Sequence, residues 1–207
     1  MVNIKSSNFC IVLSSPSGAG KTSISKRLLS LDKKIKLSIS CTTRLRRKGE
    51  VLNKDYIFIS DKDFENYKKS GKFLESAEVF GHKYGTLKKT VDIFFNKKKD
   101  VLFDIDWQGY QQLRQSKLDV IGIFILPPNK KELISRLINR GRDSKYEMKK
   151  RMSLVKNEIS HFLEYDYIVI NKDIDNCTKE ILQIVNSERL KRTRLINLTE
   201  FINKFRD

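Results

Sequence analysis

The run Ser15-Pro16-Ser17-Gly18-Ala19-Gly20-Lys21-Thr22 constrains this chain more than any other part of it. It matches G-x-x-x-x-G-K-[ST], except that Ser15 stands at the first glycine position. Gly18 and Gly20 let the backbone turn its N–H groups inward toward phosphate oxygens, and a following helix offers the positive end of its dipole. Lys21 can then reach β- and γ-phosphates, and the Thr22 hydroxyl can ligate Mg²⁺. A bare Gly-Lys-Thr would read as an ordinary turn. Here Phe9 to Ser14 is a short apolar, β-branched run, and Lys21 to Leu31 carries Ile24, Leu28 and Leu31 at helical spacing. Strand, glycine loop, helix is the context that makes the motif a nucleotide-binding loop, built on Ser14, Ser15, Pro16, Ser17, Gly18, Ala19, Gly20, Lys21 and Thr22.

The chain has 207 residues, enough for one domain with a full core, and its 39% hydrophobic and 32% charged residues exclude collagen-like and disordered classes. The longest apolar stretch, Val120 to Leu126, is seven residues. A bilayer span needs roughly 18, so no transmembrane helix is expected. Phe9 to Leu13 is followed by Ser, Pro and Gly rather than a cleavage site, so no signal peptide is read and the expected location is the cytoplasm. Cys10, Cys41 and Cys177 lack C-x-x-C spacing, and His82 and His161 are the sole histidines; a disulfide framework and a zinc site are both disfavoured. The net charge of +17 reads first as a solvated lysine-rich surface and second as a polyanion-binding one.

From Leu37 to Gly85 short alternating segments, Leu37 to Ser40, Tyr56 to Ile59 and Phe73 to Val79, surround a small helix near Asp63 to Lys69; they read as a mixed, mostly β insertion. Val101 to Asp104 and Val120 to Leu126 read as buried strands, with helices at Leu87 to Lys97 and Gln108 to Gln115. Alternation of strand and helix predicts an α/β fold with a parallel sheet flanked by helices. A helix from Lys130 to Asn139 ends at Gly141, and Met148, Met152, Val155, Ile159 and Phe162 line one face of another. Tyr167 to Ile170 is a last strand before a helical C-terminal segment that packs back on the sheet. The strand Val101 to Asp104 ends in Asp104-Ile105-Asp106, whose carboxylates either serve metal-bound water and substrate or cap the helix that follows.

Joined to the phosphate loop, Ser40-Cys41-Thr42-Thr43-Arg44, Gly49-Glu50, Asp55-Tyr56, Phe73-Leu74-Glu75, Tyr84-Gly85-Thr86, Asp104-Ile105-Asp106-Trp107-Gln108-Gly109, Arg136 and Arg140-Gly141-Arg142 occur in one order through most of the chain. In these residues the chain resembles the bacterial-type guanylate kinases. The resemblance implies a single domain in three parts: a phosphate-loop NTPase core over about 1–37, 101–131 and 160–207, a GMP-binding insertion over about 38–100, and a helical lid over about 132–159. It implies transfer of the γ-phosphoryl of ATP to GMP, or to dGMP, with Mg²⁺ accompanying ATP. The GMP site would comprise Ser40, Arg44, Arg47, Tyr56, Glu75, Tyr84, Thr86 and Asp106, with Glu78 ranked behind Glu75. Lys21, Arg44 and the lid arginines Arg136, Arg140, Arg142 and Arg151 would surround the transferring group, and Asn171 would contact adenine.

The chemistry agrees with these assignments. Guanine offers N1–H and its N2 amino group as adjacent donors, which one carboxylate accepts together, and a hydroxyl can donate to O6. Adenine reverses N1 and lacks the N2 donor, leaving groups unpaired. Arginine forks suit a phosphate, and a GMP phosphate already ionised at neutral pH needs no general base, so both histidines are read as surface or packing residues. Arg46 replaces the family's usual Pro, and Lys145-Tyr146-Glu147 departs from its more acidic text. Cys41 faces either the GMP loop or the core. Two rivals stand: a non-catalytic guanylate-kinase-like scaffold module, which typically has a degraded phosphate loop, and a nucleic-acid-binding protein, which the basic runs Arg44 to Lys48, Lys97 to Lys99 and Arg189 to Arg194 do not support because no aromatic residue is interleaved in them. The partners expected are therefore ATP and GMP, with no nucleic acid and no membrane; the oligomeric state stays open, a homodimer included.

Overall fold

The computed structural model describes residues 4–139, 153 and 155–206. Its strands are β1 (Lys5–Ser6), β2 (Cys10–Ser14), β3 (Ile35–Leu37), β4 (Cys41–Thr42), β5 (Ile57–Phe58), β6 (Phe73–Val79), β7 (His82–Leu87), β8 (Asp100–Asp104), β9 (Val120–Leu126), β10 (Tyr167–Ile170) and β11 (Leu195–Ile196). Its helices are α1 (Lys21–Leu31), α2 (Asp61–Lys69), α3 (Lys88–Asn96), α4 (Trp107–Arg114), α5 (Lys130–Asn139), α6 (Ile174–Arg189) and α7 (Leu198–Asn203). Residues 155–160 are also helical, and His161–Glu164 tighten into a 3₁₀ turn.

The alternation of side chains along β2 organises the core. Ile11 and Leu13 point to one face of the sheet, where they pack with Ile24 and Leu28 of α1 and with Ile181 and Val185 of α6. Cys10 and Val12 point to the other, against Val91 of α3 and Tyr110 and Leu113 of α4. Every residue of β2 is buried, as a central strand covered by helices on both faces requires. Its neighbours run parallel to it in the order β10-β9-β2-β8-β3. The chain therefore moves first to one side of β2 and then to the other. Such a reversal leaves a crevice at the carboxyl ends of the strands, and the phosphate loop follows β2 into it.

A second sheet, β5-β4-β7-β6, lies within residues 41–87. β6 and β7 form a hairpin turned by Phe80 and Gly81, both at positive φ (54° and 77°), as a tight primed turn demands. A register shift between Phe73 and Glu75 interrupts the pairing, and a bulge of this kind re-aims the side chain beside it. α2 packs Phe64 on Phe73 beneath this sheet and is capped by Ser60, whose hydroxyl accepts from the Asp63 N–H at 3.1 Å.

Two expectations are corrected. Leu37 to Ser40 is not one strand: the Ser38 N–H still bonds the Leu102 carbonyl of the parallel sheet, while the Ser40 carbonyl already accepts from Ile57 in the second. Those residues serve two sheets in turn. The C-terminal segment is not wholly helical either, because Leu195 and Ile196 pair antiparallel with Ser6 and Lys5 as a third, two-stranded sheet. The helical face read from Met148 is described from Val155 onward; Met148 and Met152 lie outside the described residues.

Candidate active site

Ser14, the last residue of β2, donates its hydroxyl to the Ile105 carbonyl at 2.9 Å and so ties the phosphate loop to the end of β8. Gly18 and Gly20 both lie in the left-handed region, at φ 94° and 96°. At Gly20 space is limiting as well: a Cβ there would come within 2.5 Å of the Asn171 amide nitrogen. That amide donates to the Ala19 carbonyl at 2.7 Å, so Asn171, 1% exposed, supports the loop from behind. α1 starts at Lys21, whose ammonium group sits between the Asp104 carboxylate at 2.7 Å and the Ile105 carbonyl at 2.9 Å. The Ser17 N–H donates to the Glu158 carboxylate at 3.0 Å. A loop N–H that bonds a carboxylate is chemically fit to bond a phosphate oxygen.

Ser15, Pro16, Ser17, Gly18, Gly20, Lys21 and Thr22 line a cleft whose other lining comes from the second sheet and the segments joined to it: Ser40, Arg47, Tyr56, Glu75 and Tyr84. Asp104, Ile105 and Asp106 form its floor. Glu75 is 3% exposed, and its Oε1 has no hydrogen-bond partner within the protein. Burial pushes its carboxyl up to about 7, and the charge of Asp106 adds to this, while hydrogen bonds from Thr86 and the charge of Lys21 oppose it. The Ser40 and Thr86 hydroxyls approach to 3.4 Å beside it. A buried carboxyl with one unpartnered oxygen next to two hydroxyls is the arrangement that suits guanine's edge.

Tyr56 and Tyr84 meet edge to face, with ring centroids 5.9 Å apart. Beneath them Arg44, 7% exposed, lies 5.3 Å from the Tyr56 centroid and pairs with Glu50 through both terminal nitrogens. Asp106 caps α4 through the Gly109 N–H at 3.1 Å, as the capping reading expects, and also lines the cleft. Arg136 faces Glu132 at 2.8 Å and the Asn171 carbonyl at 3.2 Å. Arg140, Arg142 and Arg151 lie outside the described residues. Glu78 is exposed. His161 stacks on Trp107, with centroids 3.6 Å apart, and is a packing residue. Cys41 is fully buried, its thiol pushed up to about 11 by burial, so it belongs to the core.

Glu158 went unread in the sequence, since nothing in a helical pattern announces that one carboxylate reaches a loop 141 residues away. The partnership of Lys21 with Asp104 was half visible, because a strand ending in Asp beside a phosphate loop is where such a carboxylate belongs.

A family model described as guanylate kinase matches residues 7–188. The chain belongs to the guanylate kinase family. It is similar to guanylate kinase of Bradyrhizobium diazoefficiens, 47% identical over 192 residues, covering 92% of this chain and 88% of that protein. Guanylate kinase of Novosphingobium aromaticivorans is 48% identical over 192 residues, at 92% and 87% coverage. In three dimensions the chain is similar to the crystal structure of guanylate kinase from Anaplasma phagocytophilum, with a TM-score of 0.81, 34% identity, and 97% and 96% of the two chains covered. The guanylate kinase fold thus accounts for the parallel sheet, its flanking helices and the phosphate loop together, and membership makes the chain a phosphotransferase.

Proposed function

We propose that this cleft catalyses ATP + GMP → ADP + GDP by direct in-line transfer. The observation that carries the reading is that the phosphate loop and the buried carboxylate of Glu75 face one cleft. Glu75 accepts from guanine N1–H and N2, with Ser40 and Thr86 as hydroxyl donors to O6. Arg44, Arg47, Tyr56 and Tyr84 hold the GMP phosphate, and Asp106 closes the floor between the two nucleotides. Lys21 leaves Asp104 to follow the β,γ-bridging charge, and the loop N–H groups of residues 15–22 cradle the ATP phosphates. Arg136, with Arg140, Arg142 and Arg151, neutralises the transferring group, and 132–159 is the lid that carries them. Asn171 acts on the ATP side by holding the Ala19 carbonyl.

Mg²⁺ fits the residues present: the Thr22 hydroxyl and the Asp104 carboxylate are hard oxygen groups on the same cleft, and no group of three or more metal-ligating side chains occurs among the described residues. A magnesium ion brought by a nucleotide typically needs only one or two protein oxygens. When bound it would neutralise phosphate charge. Among the described residues no helix is long and apolar enough to cross a membrane.

A coupled ADP-release assay with each nucleoside monophosphate in turn tests the reading. GMP, and dGMP with it, is the expected acceptor. Equal turnover with AMP or a pyrimidine nucleotide would place base recognition elsewhere than at Glu75. Lys21→Ala should lower kcat about 100-fold or more, as removal of a preorganised charge does.

A further inference from the structure

The loop between β4 and β5 holds two arginines assigned above to the GMP phosphate, and both are tied to one carboxylate. Glu50 takes Nη2 of Arg44 on its Oε1 at 2.6 Å and Nη1 on its Oε2 at 3.1 Å. The same Oε2 accepts the backbone N–H of Arg47 at 2.7 Å, and the Glu50 N–H returns a bond to the Arg47 carbonyl at 3.1 Å. The turn from 47 to 50 is thus closed at both ends, with Gly49 at φ 89°. Arg44 is held on its other sides by the Leu45 carbonyl at 2.7 Å and by the rings of Tyr56 and Phe58. Although burial works against its charge, the N–H groups of Arg44 and Arg47 hold the Glu50 carboxyl below the usual carboxylate range.

We propose that Glu50 is a positioning residue for phosphate recognition: it fixes the guanidinium of Arg44 and the backbone origin of Arg47 so that both point at one phosphoryl group. The inference rests on the reading of Arg44 and Arg47 as phosphate ligands. A planar fork loses most of its geometric value when it can swing, and a bidentate carboxylate on one edge leaves the fork's direction defined. The opposing effect is repulsion between Glu50 and the incoming phosphate. The two effects differ in sign, which makes the question decidable. The anchor also explains how the loop keeps its aim with Arg46 at a position where Pro would have stiffened it.

The experiment measures KM for GMP, KM for ATP, kcat and melting temperature for Glu50→Gln, Arg44→Ala and the double variant. Glu50→Gln keeps the shape but turns an amide donor against a guanidinium donor. The expected result is a rise in KM for GMP of roughly 10- to 100-fold, the scale of a charge-assisted hydrogen bond, with KM for ATP within about twofold of the parent. In the Arg44→Ala background the same change should have a much smaller effect on KM for GMP. Should Glu50→Gln fail to fold, Glu50→Asp, which keeps the charge but withdraws the carboxylate by one carbon, is read the same way. A fall or no change in KM for GMP on Glu50→Gln, with Arg44→Ala raising it, overturns the positioning role alone. An equal rise in both KM values together with a lowered melting temperature overturns it in favour of a purely structural one. If Arg44→Ala leaves KM for GMP unchanged, it is the assignment of Arg44 to the phosphate that falls.

Discussion

Glu75 offers the sharpest quantitative test because its environment and its task pull its proton in opposite directions. Buried in the cleft wall, its carboxyl rises from the ordinary 4.5 to about 7. That corresponds to about 3 kcal/mol against the ionised form. The penalty on the folded protein is absent below pH 4.5, grows between 4.5 and 7, and is complete above 7. Guanine's N1–H and N2 donors favour the ionised carboxylate, so GMP binding should lower the pKa and expel a proton. At pH 6.5 a group titrating near 7 is about three-quarters protonated, and roughly that fraction of a proton should leave Glu75 per GMP bound. The GMP phosphate titrates near 6 and contributes its own smaller release. Glu75→Gln retains the phosphate's share and lacks the carboxylate's. Calorimetry of GMP binding at pH 6.5, in two buffers of different ionisation enthalpy, counts the protons for both proteins. Affinity of the parent should also weaken toward about tenfold per pH unit below 7. Equal proton release by the parent and Glu75→Gln would refute the argument, since the carboxylate would then be ionised before GMP arrives or not facing the base.

Gly109→Ala puts a methyl group 2.7 Å from the Glu75 carboxylate and 3.0 Å from the Ile105 side chain. It should cost GMP its advantage over IMP by roughly tenfold or more while leaving KM for ATP unchanged, as seen in an acceptor panel. Glu158→Gln removes the carboxylate from the Ser17 N–H, and if that carboxylate competes with ATP phosphates, KM for ATP should fall by about threefold or more; a rise would show that Glu158 supports the loop. Arg194, 4% exposed, pairs with Glu188 and with Asp119 and lies 4.4 Å from the Phe9 ring. Arg194→Ala takes from Glu188 its buried ion partner and leaves it the Tyr167 hydroxyl and the Lys191 ammonium, so urea denaturation should show a loss of roughly 1–3 kcal/mol with kcat per folded molecule unchanged, and a loss below about 0.5 kcal/mol would contradict this.

Where one local signal decides an element, the residues announced it. β6 and β9 have the bounds read from alternation and from a continuous apolar run, and α5 starts at the Lys130 read from helical spacing. What escaped is settled by partners distant in sequence. Lys5 and Ser6 carry no strand pattern and become a strand because Ile196 and Leu195 lie opposite. β7 has a weak pattern, His82 to Leu87, and is held on one edge by the distant Cys41 and Thr42 of β4. In the site the residue types were legible, since a carboxylate, hydroxyls, arginines and a phosphate loop each have one evident use. Their pairings were not. That Arg44 is clasped by Glu50 and that Asn171 braces Ala19 are facts of three-dimensional geometry that no spacing encodes.

The pairing of β1 with β11 joins two ends of the chain that emerge far apart in time. Synthesis at about 5–20 residues per second spreads 207 residues over roughly 10–40 seconds, long compared with the formation of any single helix or hairpin. β2, β8 and β9 can assemble once Leu126 has emerged from the ribosome, but Phe9 then waits for Arg194 to cover its ring, and Asp119 waits for the same guanidinium. The nascent protein therefore passes through a stage with a formed sheet and an unsealed edge. A chain cut short just before residue 194 would have its phosphate loop and its base-recognition wall yet present an apolar ring and the unpaired Asp119 carboxylate to chaperones and proteases.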